Sequence, residues 1–165
     1  KTVLNTGVNT IRWAEYSVSA GVMLWVVCSL SGILEIRSLV AIALLNAALQ
    51  YVGYLIEKAK SEGQSVTDLL KIGFALHATI WVQIITSFFT VLSISDQVPS
   101  AVYTIIFVLF GLFTSFGVVS TLWACGKIKS YETVENVYTT LSLTSKSFLT
   151  WMVYFGVLRA ENRSD

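Results

Sequence analysis

Two residues of this chain carry reactive groups where their neighbours are apolar: Lys146, inside the run 138–158, and Glu15, inside the first apolar run. A charged side chain near the centre of a bilayer costs about 2.5–3.5 kcal/mol on insertion scales. An amine is tolerated there when it is covalently modified, paired with an acid, or used in transport. Both runs start from the same side of the membrane, Lys146 stands about ten residues into its run, and a helix rises about 1.5 Å per residue, so the two groups lie at similar depth. Arg12, Glu15 and Ser19 recur at helical spacing on one face, with Met23 continuing it, and Ser142, Lys146 and Thr150 form a second polar face. Three chemistries fit such a pair. It can be an ion pair that stabilises the bundle, or part of a proton relay. It can also be a Schiff base, in which a lysine in a dry pocket attacks an aldehyde and a carboxylate serves the protonated imine as counter-ion.

The elements that must hold these residues are membrane helices. Hydrophobic residues make up 55% of the 165 residues and charged residues 13%, and mean hydropathy is +0.70, far from the roughly 25% charge of soluble domains. Windows of about 20 residues, enough to cross about 30 Å of hydrocarbon, mark five spans. They cover 10–34, 38–57, 69–94, 100–125 and 136–158, separated by polar joints, the second opening at Glu57 and the fourth closing at Glu135. The predicted fold class is therefore all-α, a polytopic transmembrane bundle forming one membrane domain over residues 1–165. Asp68 and Ser100 are expected to cap the helices that follow them, Pro99 to start a helix and Gly126 to end one.

Basic residues set the expected orientation. Lys1, Arg12, Lys58, Lys60, Lys71, Lys127 and Lys129 fall on one side, and Arg37, Arg159 and Arg163 on the other. The richer side is read as cytoplasmic, with the N-terminus inside and the C-terminus outside. Asn162-Arg-Ser164 is then a glycosylation sequon on the accessible side, too close to the membrane and terminus to be used. The net charge of +1 gives no hint of nucleic-acid binding.

Other residues are weaker candidates. His77, the only histidine, is expected to make a structural hydrogen bond, with a proton relay as the sharper alternative. Cys28 and Cys125 read as small apolar residues, and one histidine with two dispersed cysteines supplies no usual metal set. There is no nucleotide loop or catalytic triad, so an enzyme is not expected. Asn46 and Gln50 share a face that can hydrogen-bond a neighbouring helix. Phe107, Phe110, Phe113 and Phe116 repeat every three residues, and Phe110 and Phe113 should lie near the depth of Lys146. A stripe of this kind is more often packing than a binding wall. Trp81 and Gln83 are weaker on depth alone, and Trp151 lies off the lysine's face.

Two separated strings resemble one family. Arg12-Trp-Ala-Glu-Tyr-Ser-Val-Ser-Ala20 is similar to the third-helix motif of the heliorhodopsins, and Val137-Tyr-Thr-Thr-Leu-Ser-Leu-Thr-Ser-Lys-Ser-Phe-Leu-Thr-Trp151 to their seventh helix with its retinal-binding lysine. The inferred topology agrees with the inverted orientation of that family. The resemblance implies that the chain corresponds to helices three to seven of a seven-helix rhodopsin fold, and that it is a fragment lacking the first two helices. It implies all-trans retinal as cofactor, Lys146 as the Schiff-base lysine, Glu15 as counter-ion, Ser19 and Ser142 as hydroxyls beside the imine, and Asn46 near the chromophore. Met23, Phe110 and Phe113 complete the expected site. Implied partners are the lipid bilayer, the two missing helices, a second copy in a homodimer and a signalling partner. The expected function is light sensing without ion pumping, because the spans show no second carboxylate for a continuous proton path. Light-driven proton transport is the alternative, and a retinal-free structural bundle the third reading.

Overall fold

The structure is a computed structural model and describes residues 7–95 and 98–158. Among these, five helices follow one another: α1 (Thr10–Leu30), α2 (Ile36–Ser61), α3 (Thr67–Ile94), α4 (Ser100–Ala124) and α5 (Tyr131–Trp151), the last continuing as a π-helical segment, Met152–Leu158. Asn9 starts α1 by accepting the Arg12 N–H on its side-chain oxygen at 3.1 Å, which satisfies one of the donors a helix leaves unpaired at its start. Gly126 ends α4 as expected. It takes a positive φ of +73°, and Lys127 N then donates back to Leu122 O at 2.9 Å, the closure that glycine permits without a Cβ penalty.

Two caps differ from expectation. Val66 and Pro99 occupy the cap positions of α3 and α4, so Asp68 and Ser100 lie within the first turns, where Asp68 still faces the positive end of the helix dipole. Two boundaries also move. Helix α2 runs on to Ser61 and α5 begins at Tyr131, so Glu57 and Glu135 belong to helices rather than to joints. The sequon at 162–164, with Lys1, Arg159 and Arg163, lies outside the described residues.

Four helices, α1 to α4, are long and apolar enough to cross a membrane. Helix α5 falls short on composition, because Glu132, Glu135, Asn136 and a series of Ser and Thr residues precede Lys146. Val18, Val22, Leu44, Val82 and Phe107 all point outward, the arrangement lipid requires and water does not.

Neighbours in sequence pack as neighbours in space: α1 on α2, α2 on α3, α3 on α4, and α4 on α5 and its continuation, with α4 also touching α1 and α2. The core has two parts. Leu24, Val27, Cys28, Ile42, Ile84 and Ile105 belong to an aliphatic region, while Trp13, Tyr16, Trp123, Val134 and Tyr138 form an aromatic one nearer the end that carries Arg12. Cys28 is buried as a small apolar residue, and Cys125 is exposed beyond α4.

Candidate functional site

Helices α1 and α5 bring Glu15 and Lys146 together. Lys146 Nζ donates to Glu15 Oε1 at 2.6 Å and stands 5.7 Å from the centre of the Tyr16 ring. Tyr16 is fixed in turn, donating its hydroxyl to Tyr138 O at 3.0 Å and meeting Phe116 edge-on at 5.7 Å. The two charged side chains keep 37% and 46% of their surface exposed, so the pair is open on one side. Its other side faces inward.

Behind the lysine lies a cavity that opens to the outside of the bundle. All five helices contribute to its wall. Ser19, Met23, Phe113, Ser142 and Lys146, all expected at the site, line it. Gln50, His77, Thr114, Ser120 and Ser145 are the remaining polar groups in a wall otherwise made of aliphatic chains and rings. Ser19 Oγ is buried beside the Glu15 carboxylate.

Other expected residues stand outside this wall. Asn46 is fully buried, with Nδ2 donating to Ser17 O at 3.2 Å and Oδ1 accepting from Gln50 at 3.1 Å. Its amide thus ties α2 to α1, the helix-to-helix role open to it from sequence. Phe110 stacks on His77 at 5.9 Å and meets Trp81 edge-on at 5.3 Å, so it backs the wall that Phe113 forms. Trp81 is buried in the aliphatic core, and Trp151 points outward. His77 makes the expected hydrogen bond, with Nε2 3.0 Å from Thr114 Oγ1.

The largest departure concerns Arg12. It does not share the Glu15–Lys146 site. Its guanidinium turns the other way and bridges Glu57 of α2 and Glu135 of α5, with the side chains of Arg12, Glu57 and Glu135 only 6%, 2% and 16% exposed. Glu57 accepts further from Trp13 Nε1 at 2.8 Å, Asn9 N at 3.0 Å and the Tyr131 hydroxyl at 3.2 Å. The guanidinium also lies over the Trp13 and Tyr138 rings, at 4.8 and 4.6 Å. Glu15 is therefore not the only acid held within the helices. Sequence reasoning missed this cluster because an acid at the edge of an apolar run looks like the start of a loop. The available signal was stoichiometric: a lone arginine inside a span requires an acid at its own depth.

The bundle thus holds two layers of charge. One is a lysine–carboxylate pair on a cavity, suited to attaching and charging an aldehyde-bearing ligand. The other is a closed cluster that joins α1, α2 and α5. No curated protein matches the chain. The family model Heliorhodopsin matches residues 1–158. Since that match takes in every described helix, including both that carry the Lys146–Glu15 pair, the chain belongs to the heliorhodopsin family, whose members are retinal-binding membrane photoreceptors.

Proposed function

We propose that this protein is a light sensor that binds all-trans retinal through Lys146 as a protonated Schiff base, with Glu15 as counter-ion, and that it signals without pumping ions. The observation that carries this reading is the 2.6 Å pairing of Glu15 with Lys146, which lines a cavity walled partly by aromatic rings. The residues fit the cofactor: the amine reaches the cavity, the wall is mostly apolar, and the buried Ser19 hydroxyl beside Glu15 offers a hydrogen-bonding group where the linkage would lie. Bound retinal supplies absorption of visible light and a bond rotation.

Lys146 Nζ would hold the aldehyde end of retinal as an imine, one C=N bond being formed and one water released. Glu15 offsets the positive charge then carried by nitrogen, which keeps the proton there at neutral pH. Ser19 and Ser142 flank the linkage with hydroxyls. Met23 and Phe113, on the wall, would hold the polyene, with Asn46 and Phe110 supporting the wall from behind. Any displacement of the charge from Glu15 pulls on α5, whose other end is tied by Glu135 to Arg12.

The end that carries Arg12 also gathers Lys58, Lys60, Lys71, Lys127 and Lys129 at helix ends and joints, which supports a cytoplasmic N-terminal side. We place the chain as one membrane domain, with the family's first two helices over the open side of the pair, a second copy in a homodimer, and a signalling partner downstream. Light-driven proton transport gains one observation in its favour, the buried acids Glu57 and Glu135. Sensing remains preferred because Arg12 engages both of them. The test is to add retinal to the protein in lipid nanodiscs, reduce with borohydride and map the labelled peptide. Retinal is expected on Lys146, and Lys146→Arg is expected to form no pigment. A visible pigment labelled at another lysine overturns the assignment.

A further inference from the structure

Lys146 and His77 line one cavity from different sides of the bundle. Lys146 comes from α5, which packs on α4, and His77 from α3, which packs on α2 and α4. The same wall includes Met23, Leu49, Phe113 and Phe116, with Gln50 as a neutral polar group. A ligand attached at Lys146 therefore shares its cavity with His77.

The state of His77 follows from its hydrogen bonds. Thr114 Oγ1 donates its only proton to Phe110 O at 2.7 Å, so toward His77 Nε2, 3.0 Å away, it can only accept. The hydrogen of the neutral ring is therefore on Nε2. Nδ1 takes no hydrogen bond from a described residue, so a proton added there creates a charge without breaking the Thr114 bond. Phe110, stacked at 5.9 Å, and Trp81, at 6.2 Å, hold the ring in place.

The charged groups around this histidine are few. The cavity also holds Lys146, paired outside the wall with Glu15, and Tyr16, whose hydroxyl donates to Tyr138 O. Helices α2 and α4 face it with the neutral Gln50 and Thr114. Lys71 and Asp68, further along α3, pair together at the exposed surface at 2.9 Å. His77 is thus the one titratable group on its side of the cavity among the described residues.

We propose that His77 is the colour-setting residue of the pigment, acting by the charge it presents to the end of the polyene farthest from Lys146. The inference rests on Lys146 as the attachment site. Excitation of a protonated polyene imine moves positive charge from nitrogen toward the far end of the chain. A positive charge at His77 opposes that movement and shifts absorption to the blue. Neutralising Glu15 acts at the nitrogen end and has the opposite sign, because it removes the charge that stabilises the ground state there. The two titrations are therefore separable by direction.

The experiment is an absorption titration of the retinal-loaded protein in lipid nanodiscs, on wild type, His77→Gln, His77→Phe and His77→Arg. Wild type is expected to show a blue shift on acidification that tracks the 15N chemical shift of the His77 ring in the same samples. The glutamine and phenylalanine variants should lose that component and keep the red shift of Glu15 protonation. His77→Arg should be blue-shifted at every pH. The same acid shift in all variants, or a His77 15N titration with no accompanying colour change, overturns the inference; the 15N measurement on wild type decides it even if the variants fail to fold. Failure of wild type to form any pigment overturns the Lys146 reading instead, and this inference with it.

Discussion

Replacing Arg12 by Met tests the second charge layer. Methionine keeps much of the side chain's length but removes the cation, leaving Glu57 and Glu135 held by α2 and α5 with no positive partner. Their side chains are 2% and 16% exposed, so neither is well placed for water to replace the guanidinium. Removing one member of a buried ion pair costs about 3–5 kcal/mol. Two cation–π contacts, with Trp13 and Tyr138, are lost as well, at about 0.5–2 kcal/mol each. The total is about 4 kcal/mol or more, and for a chain of this size each kcal/mol lowers the midpoint by about 2–4 °C. Thermal unfolding in nanodiscs should therefore fall by about 10 °C in Arg12→Met. The triple variant Arg12→Met, Glu57→Gln, Glu135→Gln should recover most of the loss, because amides leave no uncompensated charge. A loss of less than about 1 kcal/mol in the single variant, the range of exposed pairs, would refute the claim that Arg12 holds the three helices together.

Three further outcomes follow from the same geometry. Glu15→Gln should shift or bleach the visible band near neutral pH, and Ser19→Ala should do less; unchanged colour and titration in Glu15→Gln would assign the counter-ion to another anion, as read by absorption spectroscopy. Gly53→Ala should destabilise by about 1–3 kcal/mol despite a helix-propensity gain of about 1 kcal/mol, because the new Cβ meets the Trp13 ring and the indole is pinned to Glu57; denaturant unfolding checks the sign. Voltage-clamped membranes should show no sustained photocurrent, whereas a reproducible light-dependent current that follows the pH gradient and is lost in Glu15→Gln would replace sensing with proton transport.

The helices and the Glu15–Lys146 pair were legible because each rests on a local rule: apolar length for a span, and charge at matched depth for a pair. Arg12 was misplaced for a geometric reason. Residues three apart on a helix differ by about 60° in direction, enough for Arg12 to face Glu57 while Glu15 faces Lys146. Glu57 and Glu135 were read as joint residues because composition alone does not distinguish an acid leaving a helix from one turned into it. Phe107, Phe110, Phe113 and Phe116 are spaced by three along α4, yet Phe113 reaches the cavity and Phe110 stands behind it, a difference set by which neighbour each ring meets. The polarity of α5 was visible in the string from Glu132 to Ser147. Its cause was not, since the partners of those groups lie on α1 and α2, more than seventy residues earlier.

That dependence bears on how the protein is made. A helix carrying Lys146 well inside it and Glu135 near its start has little reason to leave the insertion machinery for lipid alone, since a charge near a helix centre opposes partitioning by about 2.5–3.5 kcal/mol. The compensating groups, Arg12 and Glu15, are on α1 and are synthesised first. Helix α5 is therefore expected to enter the membrane against α1, a partner made before it. A substitution at Arg12 would show itself in newly made chains as a loop left on the wrong side of the membrane before it shows in the stability of mature protein.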